Sequence, residues 1–320
     1  MVKQPILSIC IPIYNRLFYL EKMLYRFWED KDLFDEKIYL FIADNCSQDD
    51  LQSCCAKFQT MGLNLCYHRN DENIGPDRNF ELCFHSGKGK YTWLLGSDDI
   101  PVSGFLRRIL AQLERNDYGL FHLSMRPQGS ALIEFRDCNE MAVAVNYWIT
   151  FMSANIIRTD TIDGVDFSSY RQSNMIQVPA YLNACTISKI NAVSFLCPPF
   201  EKDSDADNNG GYNLFKVFVT NLFAIYENFV DRGLLSQSAF DEIKKIEFKE
   251  FLSGFIVRLL IFRTNKNFEV TDGWNILRKY YKGKPYEVCY LIKAMIVQVL
   301  VNIKSFCCRL LRRNRENTLI

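Results

Sequence analysis

The sequence has few histidines, and its cysteines lack the usual spacing of a zinc site. It contains three histidines among 320 residues, and they do not cluster along the chain. Its twelve cysteines include no Cys-x-x-Cys pair, which excludes the usual spacing of a structural zinc site. We therefore expect most of the cysteines to be small core residues or surface thiols in a reducing compartment.

Neither sign of charge is in excess. The chain has 38 lysines and arginines against 37 aspartates and glutamates, which leaves a net charge of +1. This balance argues against a nucleic-acid binder that works by bulk charge, so no nucleic-acid partner is expected. No secretory signal peptide is expected either, since Met1–Pro5 runs straight into a strand-like segment.

Common phosphate and calcium motifs are also missing. No Gly-x-Gly-x-x-Gly follows the first predicted strand, and Gly87–Lys90 lacks the Walker spacing, so we expect neither a dinucleotide site nor a P-loop. An EF-hand in the acidic segment 198–213 would need Gly and Glu where the chain has Asn208 and Leu214. This segment is interpreted as an active-site lid or as a simple solvated connection.

What the chain does have is a strand–helix alternation, repeated four times in its first third. Apolar runs predict strands at Ile6–Ile13, Ile38–Ala43, Leu63–His68 and Tyr91–Leu95, with amphipathic helices between them. Short connections of this kind predict an α/β fold with a mostly parallel sheet flanked by helices. Apolar periodicity predicts a helical C-terminal region, and we divide the chain into domains at 1–211 and 212–320.

Polar loops follow the predicted strands. They carry Tyr14-Asn15-Arg16, Asp44-Asn45, residues 73–79 and Asp98-Asp99. Because the carboxyl ends of parallel strands meet at one edge of a sheet, we expect these loops to converge on a ligand. Adjacent carboxylates suit Mg²⁺ or Mn²⁺ together with a substrate phosphate, while Asp44 and Arg78 suit a nucleobase and a phosphate. The pattern therefore predicts a nucleoside-diphosphate site.

Simpler interpretations of the same residues remain open. The pair Asp98-Asp99 could be a plain turn before a capped helix, and Arg78 could form a surface ion pair on its own helix. Asn15 and Asn45 have side chains suited to ordinary turn or capping chemistry.

Four segments in order carry a family resemblance: Ser8–Arg16, Asp44–Asp49, Asn73–Asn79 and Leu95–Asp99. Together they resemble family 2 glycosyltransferases of the GT-A fold, and most closely the O-antigen abequosyl and dideoxyhexosyl transferases. The resemblance implies transfer of a sugar, such as the 3,6-dideoxyhexose abequose, from a nucleotide-sugar donor. The implied donor is a CDP-sugar, and the implied acceptor is a lipid-linked oligosaccharide in O-antigen or surface polysaccharide synthesis.

The resemblance also implies roles for single residues. Asp44 would contact the nucleobase, and Arg78 and Asn79 would lie near the donor diphosphate or ribose. The loop enclosing the nucleobase would be formed by Pro12, Tyr14, Asn15 and Arg16.

The metal motif and the catalytic base depart from the family pattern. The family motif is Asp-x-Asp, and here Gly96 replaces its first Asp, which leaves Asp98 as the expected metal ligand and Asp99 as its support. A carboxylate base should follow far along the chain, usually in an acidic pair, but no such pair stands out. The candidates for the base are Asp163, Asp166 and Asp203.

Two other functions are weighed against this one. A nucleotidyltransferase would need a Gly-rich, Arg/Lys-lined loop after the first strand, and Pro12–Arg16 does not supply it. A catalytically weak or inactive sugar-nucleotide-binding subunit of a polysaccharide assembly complex stays open, because Gly96 replaces an acid and the base is not evident.

The C-terminal segment is apolar and then basic. Val288–Ile303 is nearly all apolar apart from Lys293, which is short for a transmembrane helix of ~20 apolar residues. The basic residues that follow it are Lys304, Arg309, Arg312, Arg313 and Arg315. We expect an interfacial helix that holds a cytoplasmic enzyme on the inner face of the cell membrane. The alternative is a buried bundle helix with a disordered basic tail.

Overall fold

A computed structural model describes residues 4–126, 131–196, 198–201, 211–265 and 267–317, with side chains up to residue 304. The described residues form an eight-stranded sheet in the order β3-β2-β1-β4-β7-β5-β8-β6. Its strands are β1 (Leu7–Ile13), β2 (Ile38–Asp44), β3 (Cys66–Arg69), β4 (Tyr91–Leu94), β5 (Leu120–Leu123), β6 (Leu132–Phe135), β7 (Asn155–Arg158) and β8 (Asn191–Ser194).

Helices connect these strands and continue beyond them. In the first two thirds they are α1 (Leu17–Glu29), α2 (Asp32–Glu36), α3 (Leu51–Thr60), α4 (Pro76–His85), α5 (Phe105–Leu113), α6 (Cys138–Val145) and α7 (Gln177–Ile187). The C-terminal helices are α8 (Leu222–Asp231), α9 (Gln237–Glu247), α10 (Ser253–Ile256), α11 (Gly273–Tyr281) and α12 (Pro285–Asn317).

The predicted α/β fold and helical C-terminal region are confirmed. Strand β1 pairs in parallel with β2 and β4, and β2 pairs in parallel with β3, as the strand–helix alternation predicted. The second half of the sheet is mixed, because β7 lies antiparallel between β4 and β5, and β6 is antiparallel to β8. The antiparallel placement of β7 reverses which end of that strand faces the site.

Strand β1 is at the centre of the core. All seven of its residues are buried, because helices cover both faces of the sheet. Successive side chains point to opposite faces, so Leu7, Ile9, Ile11 and Ile13 join one core cluster with residues of α1, α3 and α5. Helix α4 packs against the strand from the other face.

The chain contains two compact units. One comprises residues 1–206 and 224–240 and holds the sheet, while the other comprises residues 207–223 and 241–320. The second unit is helical and includes π-helical turns at Lys216–Asn221, Phe248–Leu252 and Val257–Ile261.

Helix α12 is exposed along its apolar part. Pro285–Lys304 has the length and composition to cross a membrane. Its mean hydropathy is 1.5, and its apolar stretch is not buried against the rest of the chain. Large side chains such as Val288, Ile296 and Leu300 are more than half exposed. The alternative of a buried bundle helix is therefore wrong for this segment.

Candidate functional site

The polar loops at the carboxyl ends of β1, β2, β3 and β4 meet around one cavity. Its volume is about 340 Å³, within the range of ordinary small-molecule sites. It is lined by Pro12, Ile13, Tyr14, Arg16, Asn45, Asn73, Pro76, Asn79, Phe80, Ser97, Asp98 and Met152. The structure thus brings together five of the residues predicted for the site: Pro12, Tyr14, Arg16, Asn79 and Asp98.

Asn15 links the loop after β1 to the loop after β2 through two hydrogen bonds. Its backbone N–H donates to Ser47 Oγ at 2.9 Å, and its side-chain Oδ1 accepts from the Gln48 N–H at 2.7 Å. Asn15 has a φ of 51°, in the left-handed region that asparagine tolerates better than most residues. Its side chain is used within the protein, and its contact with a donor stays a prediction.

Asp44 is buried, and both of its carboxylate oxygens accept hydrogen bonds from the chain itself. One carboxylate oxygen accepts from the Ser47 N–H at 2.8 Å. The other accepts from the Tyr67 hydroxyl at 2.6 Å and from Arg69 Nη1 at 2.9 Å. Burial opposes ionisation, but these hydrogen bonds outweigh it and hold the pKa of Asp44 below its usual value. A nucleobase contact with Asp44 stays a prediction.

An asparagine network fixes the loop between β3 and α4. Asn45 donates to Asn73 Oδ1 at 2.8 Å, while Asn70 donates to Asn45 and Asn79, each at 3.1 Å. Asn79 in turn donates to the Ala43 carbonyl at 3.0 Å. Asn45 and Asn73 line the cavity, so the network sets its shape. The sequence alone assigns Asn45 only turn or capping chemistry, because side-chain pairing across three loops has no sequence periodicity.

The two neighbours on α4 have different positions. Asn79 is buried and lines the cavity, whereas Arg78 is exposed and lies outside the cavity's described lining. A diphosphate contact by Arg78 stays a prediction. The cation that the structure does place in the cavity is Arg16.

Arg16 and Asp98 form an ion pair in the cavity. Arg16 Nη1 lies 2.6 Å from Asp98 Oδ2, and each side chain is 41% exposed. Because water reaches both groups, this pair contributes little to the stability of the fold. A substrate group can therefore replace either partner of this ion pair at little cost to the stability of the fold.

Asp99 points away from the cavity and into the protein. Its Oδ2 accepts a hydrogen bond of 2.5 Å from Ser153 Oγ. Burial raises the pKa of Asp99 to about 6, with the hydrogen bond from Ser153 opposing the rise and the neighbouring Asp98 adding to it. The described lining of the cavity includes Asp98 but not Asp99.

These donors suit a cation that arrives with its substrate. Within the described part of the chain, no three His, Cys, Asp or Glu side chains converge as a metal-ligand set. Mg²⁺ is commonly held by one or two carboxylates and completed by substrate phosphates, and Asp98 supplies one such carboxylate at the cavity. The residues therefore fit a cation shared between Asp98 and a diphosphate.

Two of the three predicted bases, Asp163 and Asp166, are not among the residues that line this cavity. Asp163 lines a separate cavity together with Lys90, Asp117 and Arg158, beside the amino end of β4. Asp166 is exposed and accepts hydrogen bonds from the hydroxyls of Ser168 and Ser169. Both follow β7, whose carboxyl end lies at the amino edge of β4. Asp203 lies outside the described residues.

Comparison with known proteins identifies a family. The sequence model described as glycosyl transferase family 2 matches residues 8–173. The abequosyltransferase RfbV of Salmonella typhimurium is 31% identical over 133 residues, which cover 41% of this chain and 39% of that protein. An uncharacterized Mycobacterium tuberculosis protein is 26% identical over 117 residues, covering 37% of this chain and 35% of that protein. The matched segments thus span less than half the length of these relatives.

Solved structures support the fold. Residues 1–349 of S. aureus TarS superpose with a TM-score of 0.62 at 15% identity, covering 91% of this chain and 89% of that one. The same TarS segment in complex with UDP-GlcNAc gives a TM-score of 0.59 at 16% identity, covering 90% and 79%. Identity at this level shows a shared fold and nothing finer.

Proposed function

Because the chain belongs to glycosyl transferase family 2, we propose that it transfers a hexosyl group from a nucleotide-sugar donor to a lipid-linked oligosaccharide. The acceptor would belong to O-antigen or surface polysaccharide synthesis, in line with the related abequosyltransferase. The observation that carries this proposal is the cavity, since every residue of its lining falls within the matched segment 8–173.

The chemistry assigns tasks to the cavity residues. The acceptor hydroxyl attacks the anomeric carbon, the bond from that carbon to the phosphate oxygen breaks, and negative charge develops on the leaving diphosphate. Arg16 lies at the cavity and would donate charge-assisted hydrogen bonds to the diphosphate. A bound Mg²⁺ or Mn²⁺, held by Asp98, would supply further neutralisation of that charge.

The donor and its cation can bind by replacing the contact between the two partners of the ion pair in the cavity. Asp98 and Arg16 neutralise each other in the structure at 2.6 Å. A donor diphosphate with its cation offers both partners a replacement, because the cation suits Asp98 and the phosphate suits Arg16. We propose that donor binding opens this pair and uses both residues.

The attacking hydroxyl must lose a proton to a base. We propose Asp203 for this role, since the structure places Asp163 and Asp166 on elements that follow β7 toward the other edge of the sheet. The last described residue before Asp203 is Glu201, whose N–H donates to the Ile100 carbonyl at 2.8 Å. Glu201 therefore lies directly beside the residue that follows the Asp98-Asp99 pair.

We propose cytosine as the nucleobase, on the basis of Asp44 and its partners. The Asp44 side chain is fully buried, whereas the side chain of its partner Arg69 is 42% exposed. Guanidinium N–H groups are donors only, so they suit the adjacent N3 and O2 acceptors of cytosine better than the N3–H donor of uracil. This supports a CDP-sugar as the donor.

Replacing Arg69 by methionine should change the choice of nucleotide. The variant loses the donor and frees one acceptor position on Asp44 Oδ2 for a base N–H, so the preference for CDP over UDP should fall at least tenfold, or ~1.4 kcal/mol. Competition of the free nucleotides against a bound donor measures this ratio. Arg108→Met, which removes an arginine that lies over Phe105 on α5, is the control. An unchanged ratio in Arg69→Met would remove the nucleobase from this position.

Asp44→Ala tests the same subsite by kinetics. Contacts with the base are similar in the ground state and the transition state, so the variant should raise KM for the donor more than it lowers kcat. Initial rates at varied donor concentration separate the two constants. A pure kcat defect with unchanged donor KM would place Asp44 outside the donor site.

A lipid-linked acceptor requires the enzyme at a membrane, and we propose that α12 provides the contact. In Pro285–Lys304, apolar side chains cover most of the circumference of the helix, and many of them are exposed. Basic residues stand on both sides of it: Arg278, Lys279, Lys282 and Lys284 before it, and Lys304, Arg309, Arg312, Arg313 and Arg315 after it. Because positive flanks stay on the cytoplasmic side, basic residues at both ends favour a helix lying on the inner leaflet over one that spans.

A donor-hydrolysis assay separates an enzyme from an inactive binding subunit. The full-length chain, incubated with a CDP-sugar and Mn²⁺, should release CDP above the no-enzyme rate, and acceptor should accelerate the release. Release that never exceeds the blank, combined with measurable donor binding, would favour the inactive subunit.

A further inference from the structure

A buried serine connects the start of β7 to the loop that carries Asp98. Ser153 is fully buried and directly precedes Ala154 and β7. Its hydroxyl oxygen accepts from the Gly96 N–H at 2.8 Å, and the same hydroxyl donates to Asp99 Oδ2 at 2.5 Å. Its backbone carbonyl accepts from the Trp93 indole N–H at 2.8 Å. One residue thus bonds to both ends of the Gly96–Asp99 loop and to the strand before it.

The missing side chain of Gly96 makes this arrangement possible. A Cβ atom at this position would lie 2.5 Å from Asp99 Oδ2 and 3.1 Å from Ser153 Oγ. Such distances are shorter than normal van der Waals contacts, so any larger residue at position 96 would push Asp99 or Ser153 away. Glycine at position 96 and the inward-pointing Asp99 therefore depend on each other.

We propose that Ser153 is a positioning residue which, through Gly96 and Asp99, fixes the loop so that Asp98 alone faces the donor diphosphate; this proposal rests on the proposed function. Asp99 then acts as a brace for the loop and not as a second metal ligand. Asp98 lies between Gly96 and Asp99 in the chain, and both of these residues are bonded to the Ser153 hydroxyl. Ser153 itself is fully buried and lies outside the described cavity lining, so its effect on a substrate would be exerted through the loop.

The test compares Ser153→Ala with Ser194→Ala. Ser194 is also buried, lies in β8 of the same sheet, and donates a hydrogen bond of 2.6 Å to Gln112. Both variants lose a buried hydroxyl, so both should be destabilised to a similar degree. Only Ser153→Ala should alter the Gly96–Asp99 loop.

The first readout is amide hydrogen exchange of the peptide that covers Trp93–Ile100. We expect exchange in this peptide at least tenfold faster in Ser153→Ala than in Ser194→Ala under native conditions. This readout needs neither donor nor metal. Equal exchange in the two variants would overturn the proposal, whatever the chain's activity.

The second readout is the Mn²⁺ concentration that half-saturates CDP binding, measured by calorimetry. Loss of a residue that orients a metal ligand typically weakens metal affinity 10–100-fold, so we expect a shift of about tenfold or more in Ser153→Ala. Ser194→Ala should match the wild type. A shift within twofold of the wild type in Ser153→Ala would contradict the proposal. If the wild type binds no CDP while the loop exchange differs as expected, the proposed function fails and the bracing of the loop stands.

Gly96→Ala provides an independent variant. Its Cβ displaces Asp99 or Ser153 and should reproduce the faster exchange and the weaker Mn²⁺ dependence without touching either side chain. Normal exchange in Gly96→Ala would show that the close contacts at this position do not hold the loop.

Discussion

Asp98→Asn should lower the rate of sugar transfer at least ~100-fold, which is typical for the loss of one key electrostatic stabiliser. Asparagine keeps the size of the side chain but removes the charge that would bind the cation. Asp98 lines the cavity, whereas Asp99 is turned toward Ser153, so Asp99→Asn should have a smaller effect. Initial rates at saturating donor and acceptor, with Mn²⁺ present, measure both.

A matched control is an aspartate outside the site. Asp117 forms an exposed ion pair of 2.5 Å with Lys90 in the separate cavity beside the amino end of β4. Asp117→Asn should leave transfer unchanged. Near-normal turnover in Asp98→Asn, or wild-type activity that persists in excess chelator, would rule out the metal-dependent mechanism.

Deleting the chain from Ser305 onward should strongly weaken binding to anionic vesicles. The deletion removes Arg309, Arg312, Arg313 and Arg315. At ~1 kcal/mol for each basic residue near an anionic surface, binding at low salt should fall up to ~1,000-fold and become less sensitive to salt. Donor hydrolysis in solution should survive, since the described cavity is built from residues up to Met152. Vesicle co-sedimentation at low and high salt measures the change.

Charge substitutions separate the basic tail from the apolar helix. Arg312→Glu with Arg313→Glu should act in the same direction as the deletion, with no loss of fold. The control, Arg312→Lys with Arg313→Lys, keeps the charge and should bind like the wild type. Unchanged vesicle binding in both the deletion and the glutamate variant would mean that the tail has no part in membrane contact.

The first half of the fold could be predicted because its signals are local. Continuous apolar runs predict buried strands, and strand–helix alternation with short loops predicts parallel pairing and a shared edge. This pattern predicts that Tyr14, Arg16, Asn79 and Asp98 meet at the carboxyl ends of the strands, and the structure places all four in the lining of one cavity.

The contacts that the sequence does not reveal depend on strand register. Asp44 and Arg69 are register partners across β2 and β3, and Trp93 pairs with Ile156 across β4 and β7. The pairing of β2 with β3 places the Arg69 guanidinium against the Asp44 carboxylate. The pairing of β4 with β7 brings the Ser153 hydroxyl to the Gly96 N–H. Asp163 follows Ser153 closely in sequence, yet β7 runs antiparallel and carries the chain to the opposite edge of the sheet. No local sequence pattern tells whether β7 runs parallel or antiparallel to β4.

The claim that the cavity is a nucleotide-sugar site is tested most directly by the unfolding temperature of the wild type with CDP, UDP, GDP or ADP, each with and without Mn²⁺. A ligand at one hundred times its dissociation constant adds about 2.7 kcal/mol to the free energy of unfolding. We expect CDP with Mn²⁺ to stabilise the chain most, and Asp98→Asn to lose the part of that gain that needs Mn²⁺. An unfolding temperature that no nucleoside diphosphate raises, with or without Mn²⁺, would contradict the claim.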